Sequence, residues 1–297
     1  MREFLLLDVP MLVAALMALL ACGTLGNWLV LRKESMTGDA IAHAVLPGLV
    51  AGFLVAGRHS LVAMFTGAAC AGVAAILLAG WIRRTARLEA GAALGIVFTT
   101  FFALGVALLE TQGARQIDLD PNCVLFGALE TLFYVPPEAG SWIAGVPRPL
   151  WTLAAAAAAA VTLSLLASKE LTALAFDAEH ARATGIVPRW LEPALLFTVS
   201  MVVVASFEAV GSLLVVALLA CPSLIAAPHA TRVGPRFAIS LGAGAAITVV
   251  GHFLAAYAPR ALGAHAALNA AGMIALLLAA AVPLSFALRA ALNRRQA

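Results

Sequence analysis

Charged residues are scarce in this chain, and so are aromatic ones. Of its 297 residues, 11% are charged, 7% are aromatic and 63% are hydrophobic. Soluble domains typically carry roughly 25% charged residues, so this composition excludes an ordinary water-soluble protein and predicts a membrane protein. Because apolar runs recur along the whole length, we expect one transmembrane domain over residues 1–297 rather than two soluble domains.

The chain also lacks the motifs of several function classes. Its net charge of +3 comes from dispersed basic residues, and without a polybasic tract nucleic-acid binding has no support. None of the six histidines forms the HExxH motif of a metalloenzyme. The two lysines, Lys33 and Lys169, are each followed by glutamate, so the chain has no GxxxxGK[ST] phosphate loop. We therefore predict a protein that is not an enzyme, and any ATP hydrolysis that drives it must come from another polypeptide.

Long apolar runs dominate what is present. Each is about 20 residues long, which is enough to cross a bilayer as a helix, and the alternating strands of a membrane barrel are absent. The fold class predicted is an all-α polytopic helical bundle of nine or eight spans, because two of the runs are nearly continuous. Small-residue pairs, Gly48 with Gly52 and Gly91 with Gly95, predict close contacts between helices. The runs are 10–31, 40–57, 60–82, 90–109, 150–168, 191–207, 210–228, 237–257 and 267–288.

The placement of basic residues predicts the orientation, because cytoplasmic loops retain Lys and Arg. With nine spans, alternate loops lie on opposite sides of the membrane, and the 18 Lys and Arg residues then divide into 13 on one side and 5 on the other. The larger set is predicted to be cytoplasmic, which places the N-terminus outside and the C-terminus inside. It contains Arg32, Lys33, Arg83, Arg84, Arg87, Lys169, Arg182, Arg189, Arg232, Arg236, Arg289, Arg294 and Arg295; the smaller set contains Arg2, Arg58, Arg115, Arg148 and Arg260.

The segment GDAIAHAVLPG, residues 38–48, carries two ionisable side chains at positions 39 and 43. Asp39 and His43 are four residues apart, so both project from one helix face. Because an uncompensated charge inside a bilayer costs roughly 3 kcal/mol, the pair must be wet, paired or bound to a metal. One reading is half of a coordination shell for Mn²⁺, Zn²⁺ or Fe²⁺. The other is that Asp39 caps the helix and His43 bonds to it.

Other ionisable groups give weaker indications of a metal path. His252 lies inside a predicted span and is the best candidate for a third ligand, although a single helix histidine more often bonds a neighbouring carbonyl. Glu110 and Glu208 lie at predicted helix ends, where solvated caps are expected. The four cysteines show no CxxC spacing and are expected to pack. A carboxylate and imidazole set disfavours Cu⁺.

The segment FDAEHARATGI, residues 176–186, has the signals of a short helix in a predicted cytoplasmic loop. Asp177 is placed to cap the helix and Gly185 is placed to end it. The alternative to a functional role is a solvated connector.

Four segments in order resemble one family, the integral-membrane subunits of bacterial ABC importers for manganese, zinc and iron. They run from about residue 10 to residue 257, and four ordered motifs are more specific than any one of them. The segments are LVLRKESMTGDAIAHAVLPGLVAGFL, AALGIVFTTFFALGVALL, LAFDAEHARATGI and EAVGSLLVVALLACPSLIA.

The resemblance implies a permease subunit of a bacterial cytoplasmic (inner) membrane, with a fold similar to the membrane subunit of the vitamin B12 importer. It implies a homodimer of permeases that docks two separate ATPase subunits and receives metal from an extracytoplasmic binding protein. It places the family's metal-path residues on Asp39 and His43. The ATPase-docking loop falls on the segment that holds Asp177, Glu179, Arg182 and Gly185. No permanently bound cofactor is implied, and the transported metal would be zinc, manganese or iron.

The chain departs from the family at two places. After Tyr257 the family carries an acidic residue and a proline turn, whereas this chain reads APRALGAH, with Pro259 and Arg260 near the acidic position, so His252 or His265 could substitute there. The family also has a neutral residue where Glu208 stands. The alternative function is a stand-alone secondary metal transporter coupled to protons, although such carriers often show internal repeats that this sequence lacks.

Overall fold

A computed structural model describes residues 4–57, 61–109, 127, 129–134, 145–188, 190–261 and 268–296. A π-helical turn, Phe4–Asp8, precedes the first α-helix, and a 3₁₀ turn, Leu129–Thr131, lies between the fourth and the fifth. All other regular structure in these ranges is α-helical. The helices are α1 (Val9–Leu31), α2 (Met36–Ala56), α3 (Leu61–Ala86), α4 (Ala90–Leu109), α5 (Arg148–Leu166), α6 (Ser168–Phe176), α7 (Ala178–Ala183), α8 (Leu191–Ala226), α9 (Val233–Ala261) and α10 (Ala270–Gln296).

Eight of these helices, all except α6 and α7, are long and apolar enough to cross a membrane. The predicted all-α polytopic bundle of eight or nine spans is therefore confirmed. The helical form follows from the solvent, since a backbone group in hydrocarbon must find its hydrogen-bond partner within its own helix. The predicted boundary between runs 191–207 and 210–228 is confirmed, because α8 (Leu191–Ala226) joins two helical segments across a kink at Gly211.

The kink in helix α8 lies at one residue, Gly211, where the backbone is not helical. Its φ of 78° and ψ of 164° are non-helical and belong to a region that essentially only glycine adopts. Before the break, Glu192 pairs with Arg32 at 2.6 Å. After it, the side chain of Leu219 lies against Gly38. Arg32 and Gly38 flank the turn between α1 and α2, so both halves of α8 reach the same end of the bundle and the chain reverses at Gly211.

Because α8 crosses the bundle in one direction and returns, the eight long helices correspond to the nine apolar runs of the sequence. We name the two ends of the bundle after residues of α1 and its preceding turn: the Arg32 end and the Asp8 end. Helix α1 runs from the Asp8 end to the Arg32 end, and α2 returns. Gly211 lies towards the Asp8 end, where a Cβ on Gly127 would collide with the backbone of Val210 and Gly211.

Helix α1 packs in the centre of one group of helices and contacts α5, α8 and α9. Its second half is buried on all sides, and a Cβ on Gly26 would collide with the carbonyl group of Leu219, so only glycine lets the two helices approach this closely. The buried Asn27 amide donates to the hydroxyl of Ser240 at 2.6 Å, which ties α1 to α9. This polar contact is the kind that holds helices together in hydrocarbon, where apolar burial supplies little drive.

Helix α2 packs in the centre of the other group and contacts α3, α4 and α8. The predicted close contact at Gly48 and Gly52 is confirmed, since a Cβ on either residue would collide with a backbone oxygen of α3. Gly91 and Gly95 make no such close contact among the described residues. A Cβ on Gly95 would meet no atom within 4 Å, and one on Gly91 would make only an ordinary contact with Met36 at 3.7 Å.

Candidate functional site

The candidate metal-path residues lie on helix α2. Asp39 and His43 are one turn apart in Met36–Ala56, as the sequence predicted. His43 is partly buried, and its imidazole ring lies against two aromatic rings of α4. The ring centroids are 5.2 Å from Phe98 and 5.7 Å from Phe102. The side chain of Asp39 lies outside the described residues, so its contact with His43 stays a prediction.

The surroundings of His43 orient its ring. The Phe102 ring meets the imidazole edge-on, at an interplanar angle of 88°, and the Phe98 ring is tilted by 36°. Two aromatic neighbours restrict the rotation of the imidazole, because an off-rotamer ring would collide with them. The buried small residues Ala42 and Ala44 flank it on α2. These contacts place the imidazole between α2 and α4.

His252 has a different partner from the one the sequence suggested. It is 1% exposed, and its Nε2 lies 3.3 Å from Oδ1 of Asp8. Tyr257 donates its hydroxyl to Oδ2 of the same carboxylate at 3.4 Å. The described contacts of His252 therefore join α9 to the start of α1 at the Asp8 end, whereas those of His43 join α2 to α4. Its role as a third ligand beside Asp39 and His43 stays a prediction.

Glu208 is not the solvated helix cap that the sequence predicted. It lies within α8, three residues before Gly211, and it is partly buried. Within the described ranges its Oε2 atom is buried and has no hydrogen-bond partner. Glu110 and His265 lie outside the described residues. Among the residues that the structure does describe, no group of three His, Cys, Asp or Glu side chains is arranged to hold a metal.

The short helix predicted in the loop after α5 is confirmed. Helix α7 spans Ala178–Ala183, and the carboxylate of Asp177 caps it by accepting a hydrogen bond from the backbone N–H of His180 at 2.9 Å. The chain leaves the helix through Gly185, whose φ of 71° is left-handed. Both signals are local, since one is a side chain bonding three residues ahead and the other is a glycine suited to positive φ.

A network of charged side chains fixes α7 to the bundle. Arg182 donates to both carboxylate oxygens of Glu192, at 2.8 and 2.9 Å. The same carboxylate accepts from Arg32 at 2.6 Å, and Arg32 also pairs with Glu34 at 3.1 Å. Arg32 is only 6% exposed in its side chain, whereas Arg182 is 54% exposed. The network therefore connects an exposed helix, through the buried side chain of Arg32, to the turn from which α2 begins.

The sequence did not indicate that Glu192 and Asp8 form ion pairs. Each lies near the boundary of an apolar run, where a charged residue is expected in any case, and each has partners that are distant in sequence. Asp8 is 244 positions from His252, and Glu192 is 160 positions from Arg32. Arg32 ends an apolar run, and this position suggests that its charge needs a partner. It does not indicate that the partner is Glu192.

The chain matches the ABC 3 transport family over residues 4–282. The manganese transport system membrane protein MntD of Bacillus subtilis is 35% identical over 240 residues, which are 80% of this chain and 79% of the relative. The zinc transport system membrane protein TroD of Treponema pallidum is 32% identical over 217 residues, 73% of this chain and 58% of that protein.

One solved structure is similar over most of its length. It is described as PsaBC from Streptococcus pneumoniae in complex with Fab, and the TM-score is 0.71 at 26% sequence identity. The match covers 93% of this chain and 89% of that chain. The architecture described above is therefore shared with a bacterial membrane protein of known structure.

Proposed function

The chain belongs to the ABC 3 transport family, and from this premise we propose that it is the membrane-spanning permease subunit of an ATP-driven importer for zinc, manganese or iron. The observation that carries the proposal is the family match across residues 4–282, which includes the segments around Asp39 and Asp177. It is supported by relatives named as manganese and zinc transport system membrane proteins. The membrane would be the bacterial cytoplasmic (inner) membrane, which this multi-pass helical bundle suits.

We propose that Asp39 and His43 line the metal path. One carboxylate and one imidazole from one helix face are hard and borderline ligands that suit Mn²⁺, Zn²⁺ and Fe²⁺. They make only half of a coordination shell, and a second permease in a homodimer would bring an equivalent pair. The metal is the transported substrate, so its ligands must bind it weakly enough to release it, and selection between metals falls to an extracytoplasmic binding protein and to metal availability.

We propose that α7 is the contact for the ATPase, with Asp177, Glu179, Arg182 and Gly185 in the docking segment. Two ATPase subunits would dock, one on each permease. The reason is mechanical: a separate motor needs a rigid lever, and α7 is capped at its start, closed by a left-handed glycine at its end and held by Arg182 on Glu192. Since Glu192 also binds Arg32, a displacement of α7 would be carried to the turn that begins α2.

An uptake experiment tests the proposal directly. Cells that lack their own metal importers would carry this permease with the ATPase and the metal-binding protein encoded beside it, and accumulation of labelled zinc, manganese and iron would be measured. We expect uptake of at least one of them to require an ATPase with an intact phosphate-loop lysine. The matched control is the same operon with that lysine replaced. Uptake that persists with the replaced lysine and follows the proton gradient would instead indicate the secondary transporter.

A further inference from the structure

A large cavity lies in the half of the bundle nearer the Arg32 end, between α1, α5, α6 and α9, and no part of the proposed transport path uses it. Its volume is about 760 Å³, within the range of roughly 300–1,000 Å³ typical of small-molecule sites. Its walls include Trp28, which is 2% exposed, and Phe237, whose ring centroid lies 5.0 Å from that of Trp28. The cavity is therefore mainly apolar.

Three of the four hydroxyl groups in the cavity wall, those of Thr24, Ser164 and Thr172, are bonded within the protein. Thr24 donates to the carbonyl oxygen of Leu20, Thr172 donates to that of Ser168 at 2.6 Å, and Ser164 accepts from the indole N–H of Trp28 at 3.1 Å. Water in an enclosed site needs two to four polar partners, and these groups offer few. The wall thus presents an essentially hydrocarbon surface, which suits an acyl chain better than a polar solute.

The cavity reaches the surface that faces the membrane. Leu20 and Leu165, on its rim, are 40% and 71% exposed on helices long enough to be spans. Lys169 also lines it and is exposed, in the first turn of α6. This is the one charged side chain in the lining, since neighbouring Glu170 does not contribute to it. Lys169 lies at the end of the bundle that the basic residues predict to be cytoplasmic, where bacterial membranes carry anionic lipid headgroups.

From this combination we propose that the cavity is a binding site for an anionic phospholipid. One acyl chain lies between α1 and α9 against Trp28 and Leu241, and the headgroup phosphate pairs with the Lys169 ammonium. A zwitterionic headgroup carries its own cation beside the phosphate, so the Lys169 ammonium favours a headgroup with net negative charge. The site goes beyond the transport function and does not depend on which metal is carried.

Two glycines of α9 make the proposal testable. Gly234 lines the cavity, and a Cβ built there would meet no atom within 4 Å. The substitution Gly234→Leu therefore places a side chain in the space of the acyl chain without a collision. Gly242 on the same helix is equally unobstructed and does not line the cavity, so Gly242→Leu is its matched control. Val161→Phe fills the cavity from the α5 wall and serves as an independent second variant.

The purified permease would be exchanged with vesicles of equal parts phosphatidylglycerol and phosphatidylcholine, and the lipids retained would be counted by native mass spectrometry. We expect the wild type and Gly242→Leu to retain phosphatidylglycerol, and Gly234→Leu and Val161→Phe to lose it. Lys169→Gln should reduce the preference for phosphatidylglycerol roughly fivefold, the factor expected of one basic residue. Equal retention by Gly234→Leu and the wild type would overturn the site. So would a change of oligomeric mass on filling the cavity, because that would identify a protein interface.

Discussion

The imidazole of His43 packs against two aromatic rings of α4. Its ring contacts with Phe98 and Phe102 on α4 restrict the rotation of the His43 side chain. We therefore expect His43→Ala to lower metal uptake by at least about tenfold, because removing a ligand from a small shell removes much of its affinity, while the amount of folded protein stays the same. Uptake of labelled metal, normalised to permease in the membrane, measures this. His229→Ala, in the exposed turn between α8 and α9, is the control, and uptake that falls equally in both variants would contradict the role.

Asn27 shows at the residue scale how a polar contact stabilises helices in a membrane. Its amide donates to Gly23 within α1 and to Ser240 of α9. Ser240→Ala removes the contact between helices and should lower the free energy of unfolding by about 0.6 to 1.7 kcal/mol. Ser285→Ala is the control, since the Ser285 hydroxyl donates only within its own helix, to Val282. Equal losses for both variants, measured by steric trapping in detergent micelles, would count against a specific tie between α1 and α9.

Helix α7 is held to α8 by the ion pair of Arg182 with Glu192, and its proposed role as a lever for the ATPase depends on this contact. Arg182→Glu replaces two attractive contacts to Glu192 with repulsion. We expect this variant to lose co-purification with the ATPase and to lose transport, and Arg182→Lys, which keeps the charge, to retain most of both. Arg148→Glu makes the same charge change at the start of α5, on the Asp8 end. If Arg182→Glu and Arg148→Glu behaved alike in a pull-down with the ATPase, the docking contact would lie elsewhere.

The distribution of Lys and Arg predicts how the whole molecule is oriented in the membrane, once α8 is counted as two crossings. With nine crossings, the Arg32 end carries most of the basic residues and should be cytoplasmic. In a variant without native cysteines, we expect His180→Cys to react only with a membrane-permeant thiol reagent. Leu268→Cys, which is 49% exposed before α10, should react with an impermeant one in whole cells. The opposite pattern would invert the orientation and remove α7 from the ATPase.

The sequence by itself determined the features that depend on near neighbours and on the solvent. An apolar run in hydrocarbon must form a helix because its backbone groups have no other partner, and the α7 caps at Asp177 and Gly185 act within a few residues. The helix face shared by Asp39 and His43 follows equally from the helical repeat. For the same reason the all-α bundle and the short helix α7 were predictable from the sequence.

Only the tertiary structure decided which distant groups meet. His252 lies against Asp8, and Glu192 brings Arg32 and Arg182 together. The sequence predicted two runs that meet around residue 209, and the structure shows that the chain reverses there at a single residue, Gly211. The physical reason is that these outcomes depend on how helices approach one another. That approach is set by contacts such as Gly26 on Leu219, between residues nearly two hundred positions apart.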